Sequence, residues 1–120
     1  MEIAIIAHDG KKAEMVQFLN QNSEILKQKK ITLISTGTTG EKVSKAGLEV
    51  KALLSGPLGG DAQIAARVAE GQCDMVLFFR DPLDRHPHEP DILMLMRLCD
   101  VHNVPLATNP ATAELLIKAI

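Results

Sequence analysis

Short apolar runs alternate with amphipathic stretches along the whole chain. Five runs are rich in β-branched or large side chains and are nearly continuous, which is typical of parallel strands covered on both faces. They are Ile3–Ala7, Ile31–Ser35, Val50–Leu54, Met75–Phe79 and Val104–Thr108. The third run contains Lys51 and has the weakest pattern, so we expect it at an edge of the sheet.

The segments between these runs have apolar residues at the i, i+3, i+4 spacing of an amphipathic helix. The predicted helices are roughly Lys11–Gln28, a short helix at Gly40–Lys45, Ile64–Ala69 ending at Gly71, Ile92–Cys99 with Pro90 in its first turn, and a C-terminal helix after Pro110. Alternating strands and helices predict right-handed crossovers. We therefore expect an α/β fold: residues 1–120 as a single three-layer α/β/α domain around a doubly wound, mainly parallel five-stranded sheet.

Composition limits the function classes. The chain has 120 residues, 46% hydrophobic and 23% charged, which suits one globular domain. A net charge of -2, three Phe and no Trp or Tyr argue against nucleic acid as a partner. No apolar run approaches the ~20 residues of a membrane span, and no export signal is present, so we expect a cytoplasmic protein. Cys73 and Cys99 lack metal-ligand spacing and are expected to be buried, reduced thiols.

Ligands of doubly wound sheets bind beyond the carboxyl ends of the strands, so the segments that follow each strand are the candidate site. The second strand is followed by Thr36-Gly37-Thr38-Thr39-Gly40-Glu41. Glycines that admit a close ligand, hydroxyl donors and a following helix N-terminus predict a phosphate cradle. A capping box from Thr38 to Glu41 is the structural alternative, and both can hold. The loop lacks the lysine and spacing of a nucleotide P-loop.

Charged groups follow the first strand and glycines follow the third. His8, Asp9, Lys11 and Lys12 together suggest an anion site, although Asp9 could cap a helix and the lysines could be solvated. The stretch Ser55-Gly56-Pro57-Leu58-Gly59-Gly60-Asp61 has more glycine than a turn requires. Asp61 is either a helix N-cap or a carboxylate positioned to accept a proton from substrate.

A stiff polar loop, Arg80–Asp91, follows the fourth strand. His86 and His88 could ligate a metal, but their neighbouring prolines and the lack of cysteine ligands favour a histidine that donates a hydrogen bond or carries a proton. The alternative for His88 is that it caps the helix that follows. After the fifth strand, Thr108-Asn109-Pro110 is expected to be a packed turn.

Taken together, these motifs resemble the methylglyoxal synthase family over nearly the whole chain. The matching pieces are Ala7-His8-Asp9, Thr36-Gly37-Thr38-Thr39-Gly40, Leu54-Ser55-Gly56-Pro57-Leu58-Gly59-Gly60-Asp61, Phe78-Phe79-Arg80-Asp81-Pro82-Leu83, Pro87-His88 and Ala107-Thr108-Asn109. The glycine-rich stretch before Asp61, combined with Asp81-Pro82-Leu83 and Pro87-His88, is specific. Two departures bear on regulation and assembly: Arg80 stands where some members carry an aromatic residue, and the sequence ends at Ile120, without the longer tail of certain members.

The resemblance implies a homohexamer that needs no metal or organic cofactor. It implies that Asp61 is the catalytic base, that His88 is a neutral imidazole moving protons near the substrate oxygens, and that Asp91 supports catalysis. The residues implied to bind substrate are His8, Asp9, Lys12, Thr36, Gly37, Thr38, Thr39, Ser55 and Gly56, with Asp81 in support.

The chemistry of these residues also fits proton removal next to a ketone, which needs a carboxylate base and donors for the enediolate oxygen. An isomerase would form the same intermediate, and the residues alone separate the two poorly. The resemblance favours elimination: dihydroxyacetone phosphate would give methylglyoxal and inorganic phosphate, with phosphate as product and inhibitor. Two other classes remain as alternatives, a phosphate- or nucleotide-sensing regulatory module and a phosphoacceptor receiver domain. The receiver lacks support because His8-Asp9 and Thr108-Asn109 stand where it needs an acidic pair and a lysine.

Overall fold

A five-stranded parallel sheet forms the centre of the computed structural model, which describes residues 1–85 and 88–120. Its strands are β1 (Glu2–Ala7), β2 (Thr32–Ser35), β3 (Lys51–Ala52), β4 (Met75–Phe79) and β5 (Leu106–Ala107). Their order is β3-β2-β1-β4-β5, and every neighbouring pair is parallel. All five predicted strands are present, and β3 lies at an edge as expected.

Within these described residues, six α-helices connect or follow the strands. They are α1 (Lys12–Gln21), α2 (Ser23–Gln28), α3 (Gly37–Lys45), α4 (Gly60–Ala69), α5 (Glu89–Val101) and α6 (Pro110–Lys118). Single 3₁₀ turns, Asp9–Lys11 and Gly56–Leu58, precede α1 and α4. Pro90 lies in the first turn of α5 and Gly71 follows α4 with a φ of 77°, both as the sequence predicts.

Alternate residues of each central strand point into two separate hydrophobic clusters. Along β1, Ile3, Ile5 and Ala7 join the cluster that contains residues of α1, α2, α3 and α6. Ala4 and Ile6 join the cluster formed with α4 and α5. Helices therefore cover both faces of the sheet, which confirms the predicted three-layer α/β/α architecture.

The predicted helix Lys11–Gln28 is in fact two helices separated at Asn22. The Asn22 side chain donates through Nδ2 to the carbonyl oxygen of Phe18 at 2.8 Å. This bond competes with the helical backbone pattern, and Asn22 takes φ -108° and ψ 15°. The apolar periodicity continues across the break, so periodicity alone could not locate it.

Other element boundaries also differ from the prediction. Helix α3 begins at Gly37 rather than Gly40, which places Thr38 and Thr39 inside its first turn. Strands β3 and β5 are each two residues long, shorter than the apolar runs that predict them.

Both cysteines are free and buried, as predicted. Burial raises the pKa of the Cys99 thiol to about 11 and also raises the pKa of Cys73. Across the described residues, 1–85 and 88–120, no helix has the length and apolar character needed to span a membrane.

Candidate active site

The chain leaves β1 for β2 and β3 on one side of the sheet, and then crosses back to β4 and β5 on the other. This reversal of strand order opens a crevice at the carboxyl ends of the strands. A cleft of about 160 Å³ lies there. The predicted site residues that line it are His8, Asp9, Lys12, Thr36, Thr38, Gly56, Asp61 and His88. Segments that follow four different strands thus meet in one cleft.

Asp61 and His88 form the chemical centre of this cleft. Asp61 is fully buried, and its Oδ2 lies 3.2 Å from Nε2 of His88. Gly59 is the N-cap of α4, so Asp61 occupies the first turn of the helix rather than the capping position. The amino-terminal end of a helix favours a negative charge, which suits a carboxylate in this turn. The N-cap alternative for Asp61 is therefore wrong.

Gly56 brings the backbone of the β3–α4 loop against that pair. A Cβ at this position would lie 2.7 Å from His88 Nε2 and 3.1 Å from Asp61 Oδ2. Only a residue without a side chain leaves this edge of the cleft open. Ser55 is the N-cap of the 3₁₀ turn that starts at Gly56, and its carbonyl oxygen accepts from Leu58 N and Gly60 N. Its side chain is not among the described groups that line the cleft.

Helix α3 presents its amino-terminal end to the cleft, with Thr36 as N-cap. The Gly37 N–H already donates to the Leu54 carbonyl oxygen at 3.0 Å. Helix geometry leaves the N–H groups of Thr38 and Thr39 without an intrahelical acceptor, which suits an anion. Because the helix starts at Gly37, Thr38 cannot begin a capping box with Glu41, and that alternative is wrong.

The two threonine hydroxyls of this turn have different surroundings. Thr38 is exposed and lines the cleft. Thr39 is buried, and its Oγ1 accepts from Ala7 N at 3.2 Å and lies 3.3 Å from Ala7 O. The Thr39 hydroxyl therefore ties α3 to β1. Gly37 packs on the backbone of the β3–α4 loop, where a Cβ would lie 3.0 Å from Leu53 O.

The end of β1 contributes one buried cation and one imidazole. Lys12 is 8% exposed, and its Nζ donates to Ala7 O at 3.1 Å and pairs with Asp9. His8 is 5% exposed, and its Nδ1 accepts from the Asp81 N–H at 2.8 Å. Asp9 lies within the 3₁₀ turn, whose N-cap is His8. The positive charge of Lys12 thus lies at the same cleft as the α3 terminus.

Asp81, Asp91 and Arg80 lie outside the cleft lining as far as residues 1–85 and 88–120 define it. Asp91 lies in the first turn of α5, and its N–H donates to the His88 carbonyl oxygen at 3.0 Å. Arg80 stands where some family members carry an aromatic residue. Its Nη2 pairs with Glu89 Oε1 at 3.3 Å.

Three lining residues, Ile6, Ala7 and Pro57, were not predicted as site residues from the sequence. Ile6 and Ala7 belong to β1, so their apolar character predicts core rather than a cleft wall. Pro57 stands beside Gly56 in the predicted loop, and that adjacency is the one signal that could have found it.

His86, one of the two candidate metal ligands, lies outside the described residues. Among residues 1–85 and 88–120, no group of three or more His, Cys, Asp or Glu side chains is arranged to hold a metal ion.

A larger cavity of about 470 Å³ lies at the ends of β4 and β5. Its charged lining residues are Lys11, Glu14 and Arg80. It contains no carboxylate–imidazole pair within the described part of the chain, so the smaller cleft is the better candidate for chemistry.

Known proteins resemble this chain in sequence and in fold. A family model described as the MGS-like domain matches residues 14–108. A methylglyoxal synthase from Clostridium botulinum (strain Eklund 17B / Type B) is 55% identical over 119 residues, 98% of each chain. One from Caldicellulosiruptor saccharolyticus is 61% identical over 121 aligned positions, covering 100% of this chain and 84% of that protein. The crystal structure of methylglyoxal synthase from Elizabethkingia anophelis NUHP1 superposes with a TM-score of 0.89 at 43% identity, covering 97% of this chain and 76% of that one. The chain therefore belongs to the methylglyoxal synthase family.

Proposed function

We propose that this cleft converts dihydroxyacetone phosphate to methylglyoxal and inorganic phosphate, the carbon–oxygen lyase reaction of a methylglyoxal synthase. The observation that carries the proposal is the pairing of the buried Asp61 carboxylate with the His88 imidazole, 3.2 Å apart, beside a helix N-terminus. Proton removal next to a ketone needs such a base and a donor for the oxygen that becomes negative.

The phosphoryl group would bind at the start of α3 and near Lys12. Amide N–H groups at a helix N-terminus and a buried ammonium are the partners that a phosphate requires. Thr36 and Thr38 line the same wall and carry hydroxyl donors. This placement leaves the carbon skeleton of the substrate toward Asp61 and His88.

In the first step, Asp61 accepts a proton from the hydroxymethyl carbon next to the ketone. The electrons of that C–H bond form a carbon–carbon double bond, and the carbonyl oxygen becomes the negative oxygen of an enediolate. His88 and His8 line the cleft and can donate hydrogen bonds to the two oxygens. A donor in place before the charge develops lowers the barrier most.

In the second step, the enediolate electrons expel the phosphate. The hydroxyl proton on the deprotonated carbon first moves to the neighbouring negative oxygen. The oxygen left behind forms the aldehyde C=O as the double bond shifts, the ester C–O bond breaks, and the phosphate leaves with the bonding pair. The enol that remains gains a proton on its terminal carbon and loses its hydroxyl proton, which gives methylglyoxal. Each proton acceptor and donor in these steps belongs to the chain or the solvent, so we propose that no metal or organic cofactor takes part.

Other features follow as parts of the same proposal. Inorganic phosphate, as the product held by α3, should inhibit by competing with substrate. We also propose that residues 1–120 form one domain, that the chain assembles as a homohexamer, and that it acts in the cytoplasm. Exposed leucines support assembly: Leu58, Leu83 and Leu115 are at least 71% exposed in the single chain.

Product identification tests the proposal. The full chain incubated with dihydroxyacetone phosphate should release methylglyoxal and inorganic phosphate in equal amounts. Accumulation of glyceraldehyde 3-phosphate without free phosphate would show an isomerase and overturn the elimination step. Absence of any turnover at saturating substrate would contradict the assignment of this cleft to catalysis.

A further inference from the structure

The turn after β4 controls which nitrogen of His8 carries a proton. The Asp81 N–H donates to Nδ1 of His8 at 2.8 Å. A ring nitrogen that accepts a hydrogen bond has no proton of its own, so the neutral ring carries its proton on Nε2. His8 is buried at the cleft, where changing this arrangement would break a partly buried hydrogen bond.

The Asp81 carboxylate holds the peptide that makes this bond. Its Oδ1 accepts from the Leu83 N–H at 3.1 Å, which closes a local turn directly after β4. The Asp84 N–H lies 3.5 Å from the Asp81 carbonyl oxygen across the same turn. The side chain of Asp81 thus fixes the direction of its own backbone N–H.

Gly10 leaves the space that the carboxylate occupies. A Cβ at Gly10 would lie 2.9 Å from Asp81 Oδ2. This is closer than Cβ atoms approach other heavy atoms in proteins, so the carboxylate would have to move. Gly10 is two residues beyond His8, so the segments after β1 and β4 fit together at the histidine.

We propose that Gly10, Asp81 and the Leu83 N–H form a tautomer lock, which holds the proton of the neutral His8 ring on Nε2. Resting on the proposed function, the lock makes His8 a hydrogen-bond donor to a substrate oxygen and removes it as a competing proton acceptor, which leaves that role to Asp61. Asp81 is then a positioning residue that acts through His8, and its hydrogen-bond acceptor matters rather than its charge.

Nitrogen-15 NMR of the labelled full chain tests the tautomer directly. The His8 signals, assigned by their loss in a His8→Asn variant, should show an unprotonated Nδ1 and a protonated Nε2. The exposed His102 serves as the reference and should show signals averaged over its two tautomers. A proton on His8 Nδ1, or His8 signals averaged like those of His102, would overturn the lock. This readout needs no turnover, so it fails or succeeds independently of the proposed reaction.

Two substitutions of Asp81 test whether its hydrogen-bond acceptor or its negative charge is needed. Asp81→Asn keeps an oxygen for the Leu83 N–H and should retain the His8 tautomer, with a smaller loss of kcat than Asp81→Ala. Asp81→Ala removes the acceptor and should mix the His8 tautomers and lower kcat by about 10- to 100-fold, the range that misplacement of a reacting group produces. An equal loss in both variants would show that charge is what matters and would contradict the proposal.

Matched variants complete the design. Asp84→Ala removes a carboxylate of the same loop, whose Oδ1 accepts from Arg85 N at 2.8 Å, and should leave the His8 tautomer and kcat unchanged. Gly10→Ala displaces the Asp81 carboxylate without removing it and should reproduce the tautomer mixing of Asp81→Ala. It therefore replaces Asp81→Ala if that variant does not fold. A native His8 spectrum in Gly10→Ala would contradict the lock.

Discussion

Where the sequence allows two roles for a side chain, its contacts in the structure favour one of them. His88 occupies the N-cap position of α5, but its side chain makes no capping hydrogen bond. Its Nε2 lies instead beside the Asp61 carboxylate. The motifs could place both residues near a ligand, but they could not exclude capping, because a cap and a catalytic group occur at the same kind of strand-to-helix junction.

Replacing His88 by glutamine should cost turnover rather than stability. Glutamine keeps a donor but cannot pass a proton between two oxygens, so we expect phosphate binding to persist while kcat falls by about 10²-fold, or methylglyoxal to appear within a mixture of products. Turnover and melting temperature measured on one preparation check this. His102→Gln, at the exposed other end of α5, is the control and should change neither. Full activity with a lowered melting temperature would make His88 a structural residue.

Gly56 is the residue whose replacement should affect the site most selectively. Its backbone has no positive φ, so alanine is compatible with the local conformation, but the added Cβ would press on His88 and Asp61. We expect Gly56→Ala to lower kcat by about 10-fold or more, with little change in melting temperature.

Gly71→Ala provides the opposite case. Gly71 has a φ of 77° and open space around it, so alanine should cost about 1 kcal/mol of stability and leave kcat unchanged. If Gly56→Ala instead loses stability and retains kcat, its approach to the catalytic pair is not what requires glycine.

Helix α3 shows why element boundaries were harder to predict than elements. Glycine and threonine are poor helix formers, so the sequence favours a start at Gly40. Contacts distant in sequence override this preference, since Leu54 O accepts from Gly37 N and β1 accepts and donates at the Thr39 hydroxyl. The same contacts decide that Thr38 faces the cleft while the Thr39 hydroxyl does not. No local pattern distinguishes the two threonines.

The start of α3 should make inorganic phosphate a competitor of substrate. Initial rates measured against phosphate should show a raised apparent KM and an unchanged maximal rate. Thr38→Ala should weaken phosphate and substrate together by a similar factor, because both share the phosphoryl group. Ser44→Ala, exposed near the other end of α3, is the matched control and should change neither. An unchanged rate at tens of millimolar phosphate, roughly the weak end of specific affinity, would count against this site.

At the scale of the whole molecule, the apolar runs predicted the sheet because both of its faces are covered. β1 and β4, whose residues are buried on alternate faces, match their predicted runs within one residue. β3 and β5 are shorter than the runs that predict them. Each of these edge strands pairs with its neighbour at two residue pairs, while the apolar run continues into a loop that packs against the core. The meeting of four strand ends at one cleft follows from strand order, which the sequence indicated only as a fold class.

The proposed homohexamer would cover apolar side chains that the single chain leaves exposed. Leu83 is 95% exposed and Leu93 57%, positions that a monomer would leave in water. Light scattering on the purified chain should give a mass about six times that of the 13.0 kDa subunit. A stable 13.0 kDa species at micromolar concentration would contradict the hexamer while leaving the cleft chemistry untouched.

The most direct test of the account is the activity of Asp61→Asn. The substitution preserves shape in a fully buried position and removes the proton acceptor. We expect kcat for methylglyoxal formation to fall by about 10²- to 10⁴-fold while phosphate still binds, because the helix α3 terminus is intact. Asp100→Asn, an exposed carboxylate of α5, is the control and should behave as the unmodified chain. An Asp61→Asn enzyme within about threefold of the unmodified turnover would show that Asp61 is not the base, and the proposed mechanism would be wrong.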